Sequence, residues 1–224
     1  MTNLLLEKMK PLVDETVHKL TIKKFDPDPV AGNYLSKIVS VMSSAYKRHG
    51  YILIRSLIEQ LRTSNRFDVW EEPQFFINEH AERVVNNSLR NPKKLLDTSI
   101  NYSKSTKYIK VDLIVNDKVN NSITAYYVKR GNGLYDSGKK RLLLKDILLV
   151  RVLLKSYAQN MDLNINDFSS FMIFYYGKRS VPIEYSLINT DLDNHFDFPI
   201  LEEIEIVNQY FKQSLIKMTE TFRD

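Results

Sequence analysis

Cysteine is absent from this chain of 224 residues. Its absence excludes disulfide bonds, thiolate zinc sites, iron–sulfur clusters and a cysteine nucleophile. Glycine and proline are scarce, at six and seven residues, which excludes collagen-like and low-complexity chains. No apolar run approaches the roughly 20 residues that a bilayer-spanning helix needs. The opening MTNLLLEKMKPLVDE reaches Glu7 and Lys8 after one short leucine run, too short for a signal peptide. A cytoplasmic protein with no membrane partner is therefore expected. His18, His49, His80 and His195 are scattered and form no HExxH motif, so histidine-based metal ligation has no support. The P-loop spacing and the GxSxG elbow are missing too.

What is present reads as globular. Apolar residues make up 43% of the chain and aromatics 11%, enough to bury a sizeable core. Charge is unevenly spread. The net charge is +5, yet residues 90–160 alone carry +10 and the rest of the chain −5. A concentrated basic block of this kind fits either a polyanionic partner, nucleic acid first, or a plain solvated face.

Apolar spacing predicts helices over residues 3–20, where Pro11 is expected to kink or restart the helix, and over 33–61, with a break expected at Gly50. DPDP at Asp26–Pro29 reads as a turn. RFDVWEEPQFFI (Arg66–Ile77) reads as a strand limited by Pro73, followed by a short helix from Glu79 to Leu89. KYIKVDLIV (Lys107–Val115) and ITAYYVKR (Ile123–Arg130) read as a hairpin about the turn NDKVNNS. A helix over Arg141–Ala158, capped by Asp136 or Ser137, leads to a strand at Ser170–Gly177, and Ile200–Met218 is an amphipathic helix. The order predicts an α/β fold, a mixed sheet with helices on its faces.

The hairpin is where chemistry is expected. Asp112 lies within an apolar strand, where an ionised carboxylate is costly unless something pairs with it. Lys129 shares a strand face with Tyr127, Ala125 and Ile123. An aspartate and a lysine meeting in mid-sheet can hold a divalent cation and a phosphate oxygen together. The alternative is a strand-end lysine in solvent and a turn-capping aspartate. Gly131 and Gly133 precede a helix whose first turn holds Lys139, Lys140 and Arg141. These backbone amides and cations suit a phosphate or, equally, a solvated first turn.

The order helix, strand, strand, strand, helix, strand, together with VDLIV…AYYVKRGNG, resembles the PD-(D/E)xK nuclease superfamily, home of many restriction endonucleases. The resemblance covers roughly residues 33–177. It implies one nuclease-like domain over residues 1–224, with a restriction-endonuclease-like core and helical additions at 1–32 and 178–224. It also implies a Mg²⁺-dependent endodeoxyribonuclease acting on double-stranded DNA, with a homodimer as the candidate assembly. Asp112 matches the family's metal-binding acid, Lys129 its catalytic lysine, and Glu59 the glutamate many members place beside the metal. Arg130, Lys139, Lys140 and Arg141 become candidate DNA contacts. One position departs from the family pattern. Where an acid is expected two residues before the lysine, this chain has Tyr127, a neutral phenol ill suited to a hard cation. Either the acid has moved, to Asp146, to Asp136, or to Glu71 or Glu72, or the fold survives as a degenerate DNA-binding or partner-binding protein.

Overall fold

A computed structural model describes residues 3–222. The chain divides into two compact units, one of residues up to Gln60 with those from Asp193 onward, the other Leu61–Leu192. Among the described residues, no helix is long and apolar enough to cross a membrane.

The first unit is helical. Helix α1 (Leu4–Thr21) opens at Asn3, whose side chain accepts the Leu6 N–H, and it packs along α6 (Leu201–Glu220). Leu5, Met9, Val13 and Leu20 form its buried stripe. Contrary to expectation, Pro11 does not interrupt α1. It sits on the exposed side, where water can serve the carbonyl that lacks its usual N–H. Helix α2 (Gly32–Leu61) is likewise unbroken. A helical glycine costs only about 1 kcal/mol relative to alanine, and the buried run around Gly50 outweighs that. DPDP is a turn, as its composition requires, with the Asp28 carboxylate accepting the Val30 and Ala31 N–H groups. Later in this unit, the His49 ring bonds the Asn208 side chain at 2.9 Å, and the Gln60 amide donates to the Pro199 carbonyl at 2.7 Å. The short helix α5 (Leu192–Phe196) leads into α6.

The second unit is an α/β layer. Five strands, β1 (Phe67–Phe76), β2 (Tyr108–Asp117), β3 (Ser122–Lys129), β4 (Asp167–Phe174) and β5 (Ser186–Ile188), lie in the spatial order 1-2-3-4-5. The first three pair antiparallel, and β3–β4 and β4–β5 pair parallel. Helix α4 (Ser137–Gln159) makes the crossover from β3 to β4 and packs on both strands, while α3 (Glu79–Ser88) packs on α4. The expected mixed sheet with flanking helices is therefore present. Ile123, Ala125 and Tyr127 of β3 join Met172 and Phe174 of β4 under Ile147, Val150 and Leu154 of α4. The short strand β5 leaves no signal in the sequence, because three residues are too few to establish a period. β4 begins and ends earlier than its apolar run, and Gly177 falls in the turn beyond it.

The β2–β3 turn is built by one carboxylate. Asp117 accepts Arg66 Nε at 2.9 Å and Nη2 at 2.7 Å, and also the Val119 and Asn120 backbone N–H groups. Burial alone would raise the Asp117 pKa, but Arg66 and the turn amides outweigh it and hold the group below its ordinary 3.8. A depressed carboxylate stabilises the fold above its unfolded pKa and loses that contribution as pH falls through the folded value. Asp117→Asn is thus expected to lower the urea midpoint at pH 7 and to leave a smaller loss between pH 5 and pH 2 than in the parent.

Candidate functional site

Asp112 is re-aimed by a bulge. Between the pairs Trp70↔Ile114 and Glu72↔Val111, β2 places Asp112 and Leu113 opposite the single residue Glu71 of β1. A second irregularity follows, with Pro73 and Gln74 of β1 opposite Lys110. Proline suits that place because it has no N–H to give the ladder. The extra residue sends both Val111 and Ile114 into the α4-side core and turns the Asp112 side chain toward β3. Ladder pairing of β2 with β3 ends at Leu113↔Tyr126. Beyond it the Asp112 carboxylate itself accepts the Val128 N–H, through Oδ2 at 2.9 Å. A side chain thus replaces a strand where the two strands part.

Lys129 closes this gap. Its Nζ lies 4.0 Å from Asp112 Oδ2, so the sheet brings the two together. Lys129 is half-buried, and its own strand runs on in parallel register with β4 to Lys129↔Phe174. Tyr127, two residues earlier, enters the α4-side core. Its hydroxyl is buried with no hydrogen-bond partner among the described residues. Burial, then the nearby Asp146 and Asp112 carboxylates, push the phenol well above its ordinary pKa.

Asp146 reaches the same place from α4. Burial raises its pKa, against the opposing pull of Lys139, Lys129 and Lys145. Pairing with Arg141 or Lys145 would have been the plain structural role for Asp146. Lys145 instead faces Glu82 at 3.7 Å, and no hydrogen bond or ion pair holds the Asp146 carboxylate among the described residues. Two acids from different elements, a lysine and an unpartnered phenol therefore share one spot at the end of β3.

The other candidate acids have different occupations. Asp136 caps α4, accepting the Lys139 N–H at 2.9 Å. Glu72 accepts from the Tyr157 hydroxyl at 2.8 Å, and Trp70 Nε1 donates to that same hydroxyl at 3.1 Å. Glu71 sits opposite the bulge on the edge strand β1. Glu59 belongs to the helical unit, where Arg55 holds it at 3.0 Å and Lys8 at 3.9 Å. Among the described residues, no three histidine, aspartate or glutamate side chains group as a metal site.

Of the basic candidates, the Arg130 guanidinium lies 5.5 Å from the Tyr176 ring centre. Lys139 is exposed on the α4 face that Asp146 shares seven residues on. Lys140 and Arg141 turn to a cleft with Arg90, a residue that no motif or spacing marks out. Gly131, at φ +65°, lets the chain leave β3 against Phe174 of β4. Compared with known proteins, the chain matches no family model, no curated protein and no solved structure.

Proposed function

We propose that this protein is a Mg²⁺-dependent endodeoxyribonuclease of the restriction-like type, acting on duplex DNA at the Asp112–Lys129–Asp146 site. The observation that carries the reading is the 4.0 Å approach of Lys129 to Asp112 at the parted end of β2 and β3, with Asp146 of α4 near enough to act on Lys129 and Tyr127. Mg²⁺ commonly binds through only one or two protein carboxylates, leaving the other positions to water and substrate phosphate. Asp112 Oδ1 and the Asp146 carboxylate fit that donor set, and the Tyr127 hydroxyl near them has no hydrogen-bond partner among the described residues. When bound, the ion would supply charge neutralisation at the phosphate and a more acidic water. Lys129 holds a positive charge where the attacked phosphate oxygens gather negative charge. The basic first turn of α4, Lys139 to Arg141, holds the DNA backbone.

The direct test is cleavage of supercoiled plasmid with Mg²⁺, Ca²⁺ or chelator. Mg²⁺-dependent nicking or linearisation supports the proposal, and duplex binding without cleavage at any metal concentration overturns it. Asp146 adds a sharper expectation. Its raised pKa means it takes up a proton at higher pH than an ordinary carboxylate, so activity should fade early on the acid side. Asp146→Asn should abolish cleavage while leaving the fold as stable as the parent or more so, because a costly half-buried charge is removed. A thermal melt and a cleavage assay on one preparation check both halves.

A second reading is favoured by Tyr127 itself. A buried phenol stands where an acid would complete a three-carboxylate group. On that reading the chain binds duplex DNA, uses Asp112 and Lys129 structurally, and cuts nothing.

A further inference from the structure

A cleft of about 610 Å³ opens beside the first turn of α4, between the end of α3 and the segment after β4. Its volume falls within the range of small-ligand sites. Three cations line it: Arg90, just past the C-terminus of α3, and Lys140 and Arg141 of α4. Among the described residues none of the three is ion-paired. The acids of the neighbouring elements pair elsewhere, Glu82 with Lys107 and Lys145, and Glu184 with Lys93.

That arrangement is unfavourable as it stands. The N-terminal turn of a helix carries the positive end of its dipole, where acids are preferred and cations cost. Asp136 is the capping acid at this end of α4, but the first turn itself holds none, and Lys139, Lys140 and Arg141 follow in succession. Arg90 adds a fourth like charge. An anion seated among Arg90, Lys140 and Arg141 would relieve the mutual repulsion of the three that line the cleft. The remaining walls are not those of a bare ion site. Leu144, Val181 and Pro182 give an apolar surface, and the side-chain amides of Asn86 and Asn87 bring donors and acceptors. Ser180 Oγ accepts the Tyr135 N–H at 3.2 Å, which leaves its own hydroxyl hydrogen to donate.

We infer that this cleft binds one phosphorylated nucleoside unit, with the phosphate on Arg90, Lys140 and Arg141 and the base and sugar against the apolar wall and the asparagine amides. The unit is either a free nucleotide or the 5′-phosphorylated end of a strand, since both present the same chemistry. Lys140 and Arg141 also serve the DNA contacts proposed above, and to that extent the inference rests on that reading. Arg90, the amides and the cleft's volume give it separate support.

The test uses the full chain and four probes in calorimetry or fluorescence anisotropy: inorganic phosphate, deoxyadenosine 5′-monophosphate, and a single-stranded hexanucleotide with or without a 5′-phosphate. The monophosphate should bind at least tenfold tighter than inorganic phosphate. Binding of the free monophosphate equal to that of the phosphorylated hexanucleotide identifies a free-nucleotide site. A tenfold preference for the phosphorylated hexanucleotide over its 5′-hydroxyl form identifies a strand-end site. Arg90→Gln should weaken the preferred probe at least fivefold, and Arg90→Glu more. Circular dichroism on the same samples confirms the fold. A monophosphate that binds no tighter than inorganic phosphate, or binding indifferent to both Arg90 variants, overturns the inference. Plasmid cleavage is read separately: a nuclease without nucleotide binding loses the cleft alone, and nucleotide binding without cleavage loses the nuclease alone.

Discussion

On the proposed nuclease function, Asp112→Asn and Lys129→Ala should each cut the rate of DNA cleavage steeply, and for separable reasons. Asparagine keeps an oxygen that can accept the Val128 N–H, now 2.9 Å from Asp112 Oδ2, so the parted end of β2 and β3 should survive. What is lost is the negative charge. If that charge holds Mg²⁺, the loss amounts to about 4 kcal/mol of transition-state stabilisation, roughly 10³-fold in rate, and the Mg²⁺ concentration for half-maximal rate should rise. Lys129→Ala leaves both carboxylates in place. Its rate should fall by about 10²–10³ with the Mg²⁺ dependence little changed, and Lys129→Arg should restore part of the loss. Metal titrations of the cleavage rate distinguish the two variants. Cleavage that survives both substitutions would put the active site elsewhere.

Part of this site was legible in the sequence, and the reasons are physical. An aspartate inside VDLIV is conspicuous because burying a charge is costly, and the alternation of β3 puts Lys129 on the face of Tyr127. What no pattern conveyed was how Asp112 turns. The run Val111 to Val115 is apolar at every position but one, so it carries no period from which a bulge could be read. The bulge is set by pairing with β1, and only the register shift at Glu71 reveals it. The same limit applies to Asp146. Its residue type fits a solvated helix face, and its half-buried position beside Lys129 depends on the packing of α4 over β3. Asp136 was the clearer case, since a capping aspartate ahead of a helix is a local signal and the cap is present. Helix continuity at Pro11 and Gly50 went against local propensity because buried stripes on α1 and α2 decide it.

Gly131→Ala should be among the most damaging single-methyl additions in the chain. Gly131 has φ +65°, a region that costs an alanine roughly 1–2 kcal/mol. A Cβ there would also fall 2.7 Å from Phe174 Cβ, 2.8 Å from its Cα and 2.9 Å from its carbonyl carbon. Two of those atoms are backbone of β4, which is paired with β3 on one side and β5 on the other, so they have little room to yield. Overpacking of this kind adds about 1–3 kcal/mol. The expected loss of about 2–5 kcal/mol is a large share of a typical domain's stability. Function should fall with it. The exit from β3 is tied to the segment that follows β4 by three bonds, Tyr175 N–H to the Lys129 carbonyl at 2.9 Å, Tyr176 N–H to the Arg130 carbonyl at 2.6 Å, and Lys178 N–H to the Gly131 carbonyl at 2.8 Å. Displacing Gly131 pulls on the residue whose ammonium must face Asp112. Gly133 gives the matched control, since an added Cβ there meets nothing within 4 Å. In urea titrations Gly133→Ala should keep the parent midpoint while Gly131→Ala loses a large part of it. Equal midpoints for the two variants would mean that the Gly131–Phe174 approach does not hold β3 against β4.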